Sequence, residues 1–414
     1  MASNTLMFIY FMSCVLCVRC STILCDSGFC RTFHHEPGCA PPAPECGINN
    51  ATHTGRWMPS PTTCNCCQFC LPFFLPDAHC SSGGPGLGTT VGRCGHGLTC
   101  DRETLQCVRM QSKCHSAQDE YDRRHQSLQT GAMEQRPYCD GKGRYAAFDC
   151  VPAHTCFCQS EDGERIFGEV RHVSATQNMP CGCSRFHDQI RKSLAPGVPF
   201  PVIGPRCTPD GNFNPVQCTG NICYCVNRIT GVARADGQSI DLNERPISEL
   251  PCYTADLDPF PEQSRGPPPF NFTTPCFEDM RETIELIRES EEAGFILDFF
   301  SSVQQCLPDG TYGRVMETRN STRICVDHRG DRIKDYEAVK DTTEYNTMDC
   351  KCAVTSQLMD TSIEKPICCK NGNFRRIQCR RGSCRCVDSN GRQIGRENTD
   401  VSLLSCHTTD WQNC

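Results

Sequence analysis

The residues with chemistry to offer are cysteines, 39 of them in a chain of 414 residues. A cysteine can act as a nucleophile, ligate a metal or close a disulfide, and its neighbours and spacing decide which. The most informative spacing is Cys-x-Cys, at Cys156/Cys158, Cys223/Cys225 and Cys384/Cys386. On a strand, positions two apart face the same side, so both sulfurs point one way. Two cysteines that close do not easily bridge each other, and each takes a different partner. The spacing is also too tight for zinc pairs, which keep about two to four residues between cysteines. His34-His35-Glu36 could ligate a metal, but they read better as a solvated loop, and no metal or other cofactor is expected. No Gly-x-Ser-x-Gly, His-Glu-x-x-His or phosphate-binding glycine loop occurs, so an enzyme is not expected.

Each Cys-x-Cys closes a longer pattern. Cys139 to Cys150, Cys207 to Cys218 and Cys368 to Cys379 are each eleven positions apart. Turn signals lie between them: Gly141-Lys142-Gly143, Asp210-Gly211 and Asn371-Gly372. Outlying cysteines complete each unit: Cys114 and Cys181, Cys183 and Cys252, Cys352 and Cys406. This is an internal repeat of six-cysteine modules. Six cysteines allow fifteen pairings, and spacing alone does not choose among them.

The modules resemble the thyroglobulin type-1 domain. The second has Gly211-Asn212-Phe213, Gln217-Cys218 and Cys223-Tyr224-Cys225-Val226. The fourth has Gly372-Asn373-Phe374, Gln378-Cys379 and Cys384-Arg385-Cys386-Val387. The first fits less fully, with Gly143-Arg144-Tyr145, Asp149-Cys150 and Cys156-Phe157-Cys158. The resemblance implies bridges Cys114–Cys139, Cys150–Cys156 and Cys158–Cys181 in the first repeat. In the second it implies Cys183–Cys207, Cys218–Cys223 and Cys225–Cys252. In the fourth it implies Cys352–Cys368, Cys379–Cys384 and Cys386–Cys406.

A degenerate third copy supports this connectivity. Cys306-Leu-Pro-Asp-Gly310-Thr-Tyr312 begins like the others, but Glu317 and Arg323 stand where the next two cysteines belong. Losing two together is what removing one bridge looks like. Cys276–Cys306 and Cys325–Cys350 then remain. Glu317 and Arg323 can pair, at about 0–1 kcal/mol if exposed, against about 2–4 for a disulfide.

The expected fold class follows: a small, disulfide-rich, multidomain chain of short strands and loops, with a helix near the start of each repeat. Modules this small bury little core, and sulfur bridges take over that role. The expected division is a leader at 1–20, a cysteine-rich head at 21–110, and repeats at 111–181, 182–252, 276–350 and 351–414. A Pro-rich linker at 253–275 would be an extended spacer with no core. In the third repeat, Phe277, Met280, Ile284 and Ile287 mark one face of an amphipathic helix, expected to pack within its own domain. Cys369 and Cys414 are left over and can bridge each other, with a link between two molecules as the alternative.

Leu6–Val18 is an apolar run too short to span a bilayer and reads as a secretory signal. A cut after Cys20 removes Cys14, Cys17 and Cys20 and leaves an even number of cysteines. The expectation is an exported chain with no membrane span, its disulfides formed in an oxidising compartment. Sequons at Asn50, Asn271 and Asn320 fit such a chain. The net charge of −7 argues against nucleic acid as a partner.

The head holds twelve cysteines between 25 and 107, with Cys64-Asn-Cys66-Cys67-Gln-Phe-Cys70 and Cys94-Gly-His-Gly-Leu-Thr-Cys100. It resembles the amino-terminal domain of insulin-like growth factor binding proteins. Adjacent Cys66 and Cys67 must reach opposite sides, making a ladder of bridges.

Some thyroglobulin type-1 domains inhibit papain-like cysteine proteases, and a few inhibit aspartic ones, by inserting a wedge of loops into the active-site cleft. The resemblance therefore implies a non-covalent protease inhibitor. In the second repeat, the expected carrier, the wedge would be Gly204, Pro205 and Arg206 with Thr219, Gly220, Asn221 and Ile222. The corresponding loops are Val151–Thr155 and Arg380–Ser383. The third repeat, with no bridge across its loop and a sequon at Asn320, is not expected to inhibit. The alternative is a protein that binds a growth factor or matrix component without inhibiting. Arg375, Arg376, Arg380, Arg381, Arg385, Arg392 and Arg396 make the fourth repeat basic. They read as a solvated face or, alternatively, as a site for sulfated glycans.

Overall fold

The structure, a computed structural model, describes residues 27–35, 39, 46, 55–59, 64, 66–81, 92–172, 179–194, 204–235, 237–258, 260, 273–295, 304–318, 320–359 and 364–409. The leader, Glu36, Asn50, Asn271 and Cys414 lie outside the described residues. The chain divides into two compact units, Met1–Met110 and Gln111–Cys414.

The first unit has helix α1 (Ser27–His35) and strands β1 (Gly55–Pro59), β2 (Gln68–Phe74), β3 (Arg93–Cys94), β4 (Leu98–Cys100) and β5 (Cys107–Arg109). Strands β1 and β2 are antiparallel, β3 adds to β2 in parallel, and β4 and β5 form a hairpin. Adjacent cysteines take different partners: Cys66 joins Cys30 and Cys67 joins Cys39. Further bridges are Cys46–Cys70, Cys80–Cys100 and Cys94–Cys107, and Cys64 is disulfide-bonded as well. His34 and His35 close α1 rather than sitting in a loop.

The second unit repeats one plan four times: a helix, then a three-stranded antiparallel meander. The first copy is α2 (Lys113–Gln126) with β6 (Phe148–Cys150), β7 (Thr155–Gln159) and β8 (Arg165–Arg171). The second is α3 (Gly182–Ser193) with β9 (Val216–Thr219), β10 (Ile222–Cys225) and β11 (Ser239–Asp241). The third is α4 (Pro275–Glu292) with β12 (Val315–Glu317), β13 (Thr322–Val326) and β14 (Arg332–Val339), followed by the short α5 (Thr343–Thr347). The fourth is α6 (Lys351–Leu358) with β15 (Ile377–Arg380), β16 (Ser383–Val387) and β17 (Gln393–Asn398). The Cys-x-Cys strand, or its remnant in the third copy, is always central.

In each copy, one bridge ties the helix to the turn ahead of the sheet: Cys114–Cys139, Cys183–Cys207, Cys276–Cys306 and Cys352–Cys368. A last bridge ties the central strand to the end of the repeat: Cys158–Cys181, Cys225–Cys252, Cys325–Cys350 and Cys386–Cys406. The first two strands are stapled by Cys150–Cys156, Cys218–Cys223 and Cys379–Cys384, each with Cα atoms 4.0 Å apart. Those cysteines stand directly opposite each other in the ladder, the close approach that a cross-strand bridge needs.

In the third copy Glu317 and Arg323 occupy that same register position. Arg323 Nε lies 3.9 Å from the Glu317 carboxylate. The guanidinium sits 4.0 Å over the Tyr345 ring and donates to the Tyr345 carbonyl at 2.9 Å. An ion pair backed by a cation–π contact replaces the sulfur bridge.

The cores are small and separate, and cysteines sit inside them: Val216, Ile240, Leu242, Ile247 and Leu250 around Cys223 and Cys225, for example. The aromatic residue after each turn packs on a glycine further along. Phe213 lies under Gly231, where an added Cβ would come within 2.8 Å of the ring and φ is +70°. Tyr145 with Gly163, Tyr312 with Gly330 and Phe374 with Gly391 repeat the contact.

Two further expectations change. Helix α4 forms, but of its side chains only Cys276 is buried, and Ile284 is 49% exposed. Its apolar face is longer than the small core of this repeat can cover. The linker is not all spacer: Phe260 is buried, and Asp258 is buried with Arg206. Its first residues therefore belong with the second repeat.

Candidate protein-binding loops and the junction of the repeats

The glutamine of each Gln-Cys pair has a definite task. Gln217 Oε1 accepts from the backbone N–H of Arg206, and Gln217 Nε2 donates to the Arg206 and Asn214 carbonyls, all at 2.8 Å. Gln378 does the same for Ile367 and Arg375, again at 2.8 Å. One buried amide thus fastens the segment before the turn cysteine to the first strand and satisfies groups that would be costly to leave unpaired. In the first repeat Asp149 holds that place and accepts from the Cys150 N–H instead. This explains why the motif carries Gln, a role that spacing alone did not show.

The hairpin tips differ in exposure. In the second repeat Thr219, Gly220, Asn221 and Ile222 are exposed, Ile222 by 45%. Thr219 faces Ile222 across the two-residue turn, and Cys218–Cys223 closes the hairpin behind them. The fourth repeat has the same design, with Arg381 and Gly382 at the exposed tip and both at positive φ. Such a pair of angles matches the twist of the flanking strands. In the first repeat Val151, His154 and Thr155 are buried. In the third, Asn320 is exposed in the turn at the hairpin tip.

The lead segment of the second repeat is less open. Gly204 is exposed, but the Arg206 side chain is only 9% exposed. Arg206 pairs with Asp258 at 3.1 Å, and its Nε donates to the Asp309 carbonyl at 3.5 Å. The Cys207 N–H donates to the Pro308 carbonyl at 3.0 Å. A turn of the third repeat thus sits on this segment. His187 Nε2 lies 2.7 Å from the Pro205 carbonyl, and burial lowers the pKa of this imidazole.

One residue joins all four repeats. Glu169, on β8 of the first, is buried. Its Oε1 accepts from Thr155 Oγ1 and from Thr355 Oγ1 of the fourth repeat, each at 2.8 Å. Its Oε2 meets Arg165 at 2.5 Å and Arg314 of the third repeat at 3.0 Å. Its backbone N–H donates to the Pro209 carbonyl of the second repeat at 3.0 Å. Burial alone would raise this carboxyl, but the two guanidiniums and the Thr355 hydroxyl prevail and hold its pKa down at about 2.

The family described as the thyroglobulin type-1 repeat matches residues 183–242 and 347–406. The chain carries thyroglobulin type-1 repeats. It is 31% identical to thyroglobulin of Sus scrofa over 105 residues, which is 25% of this chain and 4% of that protein. It is 31% identical to that of Rattus norvegicus over 115 residues and 33% identical to that of Mus musculus over 115 residues, in each case 27% of this chain and 4% of the relative. The match thus spans only a small fraction of those relatives.

The basic face of the repeat that matches the family over residues 347–406 is not simply solvated. Arg392 pairs with Asp149 of the first repeat at 3.0 Å and with Asp388 at 2.8 Å. Arg385 is half-buried beside Met133, and burial lowers its pKa. Gln393 accepts from the Met133 N–H, Glu397 accepts from the Ala132 N–H, and Gly395 donates to Glu134. Arg376, Arg381 and Arg396 remain exposed. Where the first and fourth repeats meet, burial and then Arg385 and Arg380 lower the pKa of His154 to about 4.

Among the described residues three groups of cysteine and histidine lie close enough to hold an ion, including Cys183, His187 and Cys207. Their sulfurs are tied in disulfides and are not thiolate ligands. Cys369 is disulfide-bonded as well. No described helix is long and apolar enough to cross a membrane.

Proposed function

We propose that this is an exported, glycosylated protein that inhibits papain-like cysteine proteases without a covalent step, with aspartic proteases as a second target class. The observation that carries the reading is the hairpin tip of the second repeat, four exposed residues closed behind by Cys218–Cys223, with Gln217 next to that bridge. A loop held this way loses little entropy on entering a cleft and resists being drawn into the geometry of cleavage. The fourth repeat repeats the design. Purified full-length protein, assayed against cathepsin L-like and cathepsin D-like proteases, tests this. No inhibition at micromolar protein would defeat it.

A second reading rests on the first unit, which is compact and carries its own bridges. It would capture a growth factor or matrix component, with the repeats as docking surfaces. Ligand capture by residues 21–110 alone, without inhibition by the repeats, would favour it. Exposed arginines of the fourth repeat would add affinity for sulfated glycans, read as retention on heparin at physiological salt.

A further inference from the structure

We infer that packing among the repeats assigns the partner-binding edge to the fourth repeat, and that this edge fits a protein cleft whose rim carries Asp and Glu. This rests on the inhibitor reading above. A wedge needs its lead segment and its hairpin tip open together. In the first repeat the hairpin Val151–Thr155 is closed off, with Val151, His154 and Thr155 buried and Arg380 and Arg385 of the fourth repeat close enough to act on His154. In the second, the tip is open but Arg206 is held under the third repeat by Pro308 and Asp309. In the third, Asn320 of a sequon occupies the tip, and no bridge closes it. The second and fourth repeats both have exposed tips, and their leads open alike at Gly204 and Lys365. They differ at the next anchored residue, since Arg206 is held against the third repeat while the described contacts of Ile367 stay within the fourth repeat.

The lead and the tip of the fourth repeat are neighbours. Arg380 Nε donates to the Glu364 carboxylate at 3.1 Å, which places the lead beside the hairpin. Gln378 holds Ile367 from below. Glu364 offsets Arg380, and Lys365, Arg376 and Arg381 remain as exposed cations on this repeat. Exposed charges at the rim of an interface act on the encounter rate and on partner choice more than on the final affinity. The matching partner is therefore an acidic cleft.

The test uses full-length protein and a papain-like protease with an acidic cleft rim, and reads association rate against salt. Lys365→Glu with Arg381→Glu should slow association about tenfold and flatten its salt dependence. Ile229→Asp, an exposed residue of the second repeat outside its tip and lead, should change it less than about twofold, and Ile222→Asp at the second tip should slow it less than the charge reversal does. These substitutions all lie on exposed side chains, and Arg381→Ala serves as a milder control. Slowing by Ile222→Asp alone would overturn the assignment in favour of the second repeat. Unchanged inhibition by the charge-reversed protein together with lost retention on heparin would make the edge a polyanion site and overturn it too. If the unsubstituted protein inhibits none of the proteases tested, the inhibitor reading itself fails, and this inference falls with it.

Discussion

Glu169 and Thr355 stand 186 residues apart in the chain and share a hydrogen bond of 2.8 Å in the buried centre of the four repeats. The same carboxylate faces Arg165 and Arg314, so it is the counter-charge for two guanidiniums. Removing it leaves Arg165, whose side chain is 1% exposed, without a counter-charge where water cannot help, and leaves Arg314 with Asp349 as its nearby carboxylate. Glu169→Gln should cost about 3–5 kcal/mol of unfolding free energy, the range for breaking a buried ion pair. Thr355→Val, which takes away one neutral donor, should cost about 1 kcal/mol. Denaturant unfolding of both variants checks this. Equal losses would mean that the charge is not what holds the repeats together. The folded pKa of Glu169 lies below its unfolded value, so its contribution is complete above pH 4.5 and fades as pH falls toward about 2.

His154 sets a different pH dependence. Burial, helped by Arg385 and Arg380, lowers its pKa from 6.5 to about 4. A histidine with a lowered folded pKa stabilises the fold fully above the unfolded value. That contribution is lost as pH falls from 6.5 toward 4, because the unfolded chain takes up a proton that the folded one refuses. The loss should reach up to about 3 kcal/mol at the lower limit. Unfolding free energy measured from pH 7 to pH 4 should decline, and His154→Gln should flatten that decline. An unchanged slope in the variant would exclude His154 as its source.

The local frame of each repeat is legible in the sequence, because it depends on neighbours. Positions two apart on a strand face one way, which is why Cys223 and Cys225 take different partners; that these are Cys218 and Cys252 is implied by the family resemblance, not by the spacing. The Asp210-Gly211 turn, followed by Phe213, is likewise a short-range signal. The role of Gln217 was hidden, because the groups it satisfies are backbone atoms with no sequence signature. The packing of Phe213 on Gly231 did leave a signal, a glycine eighteen positions on, which recurs at Tyr145 and Gly163. The junction was not legible at all. Glu169 looks like any strand glutamate until Arg314 and Thr355 are brought to it from 145 and 186 residues away. The same blindness made the arginines of the fourth repeat read as a solvated face, when Arg392 reaches Asp149 across 243 residues.

The missing bridge of the third repeat can be restored. Glu317 and Arg323 face each other where the other repeats place their cross-strand cysteines. Glu317→Cys with Arg323→Cys should close a disulfide worth about 2 kcal/mol for so short a loop. Against that stands the lost contact of Arg323 with Tyr345, about 0.5–1 kcal/mol. The net expectation is a gain of about 1 kcal/mol in oxidised protein, and a deficit relative to the starting protein once the bridge is reduced selectively. Thermal unfolding of both forms, with thiol counting, checks it. A double variant that keeps two free thiols would show that the backbones do not approach as they do in the other repeats.

Gln217 and Gln378 allow the two candidate wedges to be compared without touching an exposed residue. Each amide holds a lead segment by both backbone groups of one residue, Arg206 or Ile367. Truncation to Ala leaves the Arg206 or Ile367 N–H unpaired, while the carbonyl keeps its bond from the Asn214 or Arg375 N–H, and should cost about 1–3 kcal/mol in either repeat. The effect on a protease should not be equal. The Arg206 segment is also held by Asp258 and by the third repeat, so it keeps its place when Gln217 is shortened. Ile367 has no such second support among its described contacts, so its segment should loosen and lose the preorganisation that a rigid wedge depends on. Gln378→Ala should therefore weaken inhibition about tenfold or more, while Gln217→Ala should leave it within about threefold, both read as inhibition constants on one papain-like protease. The reverse order would place the working wedge in the second repeat.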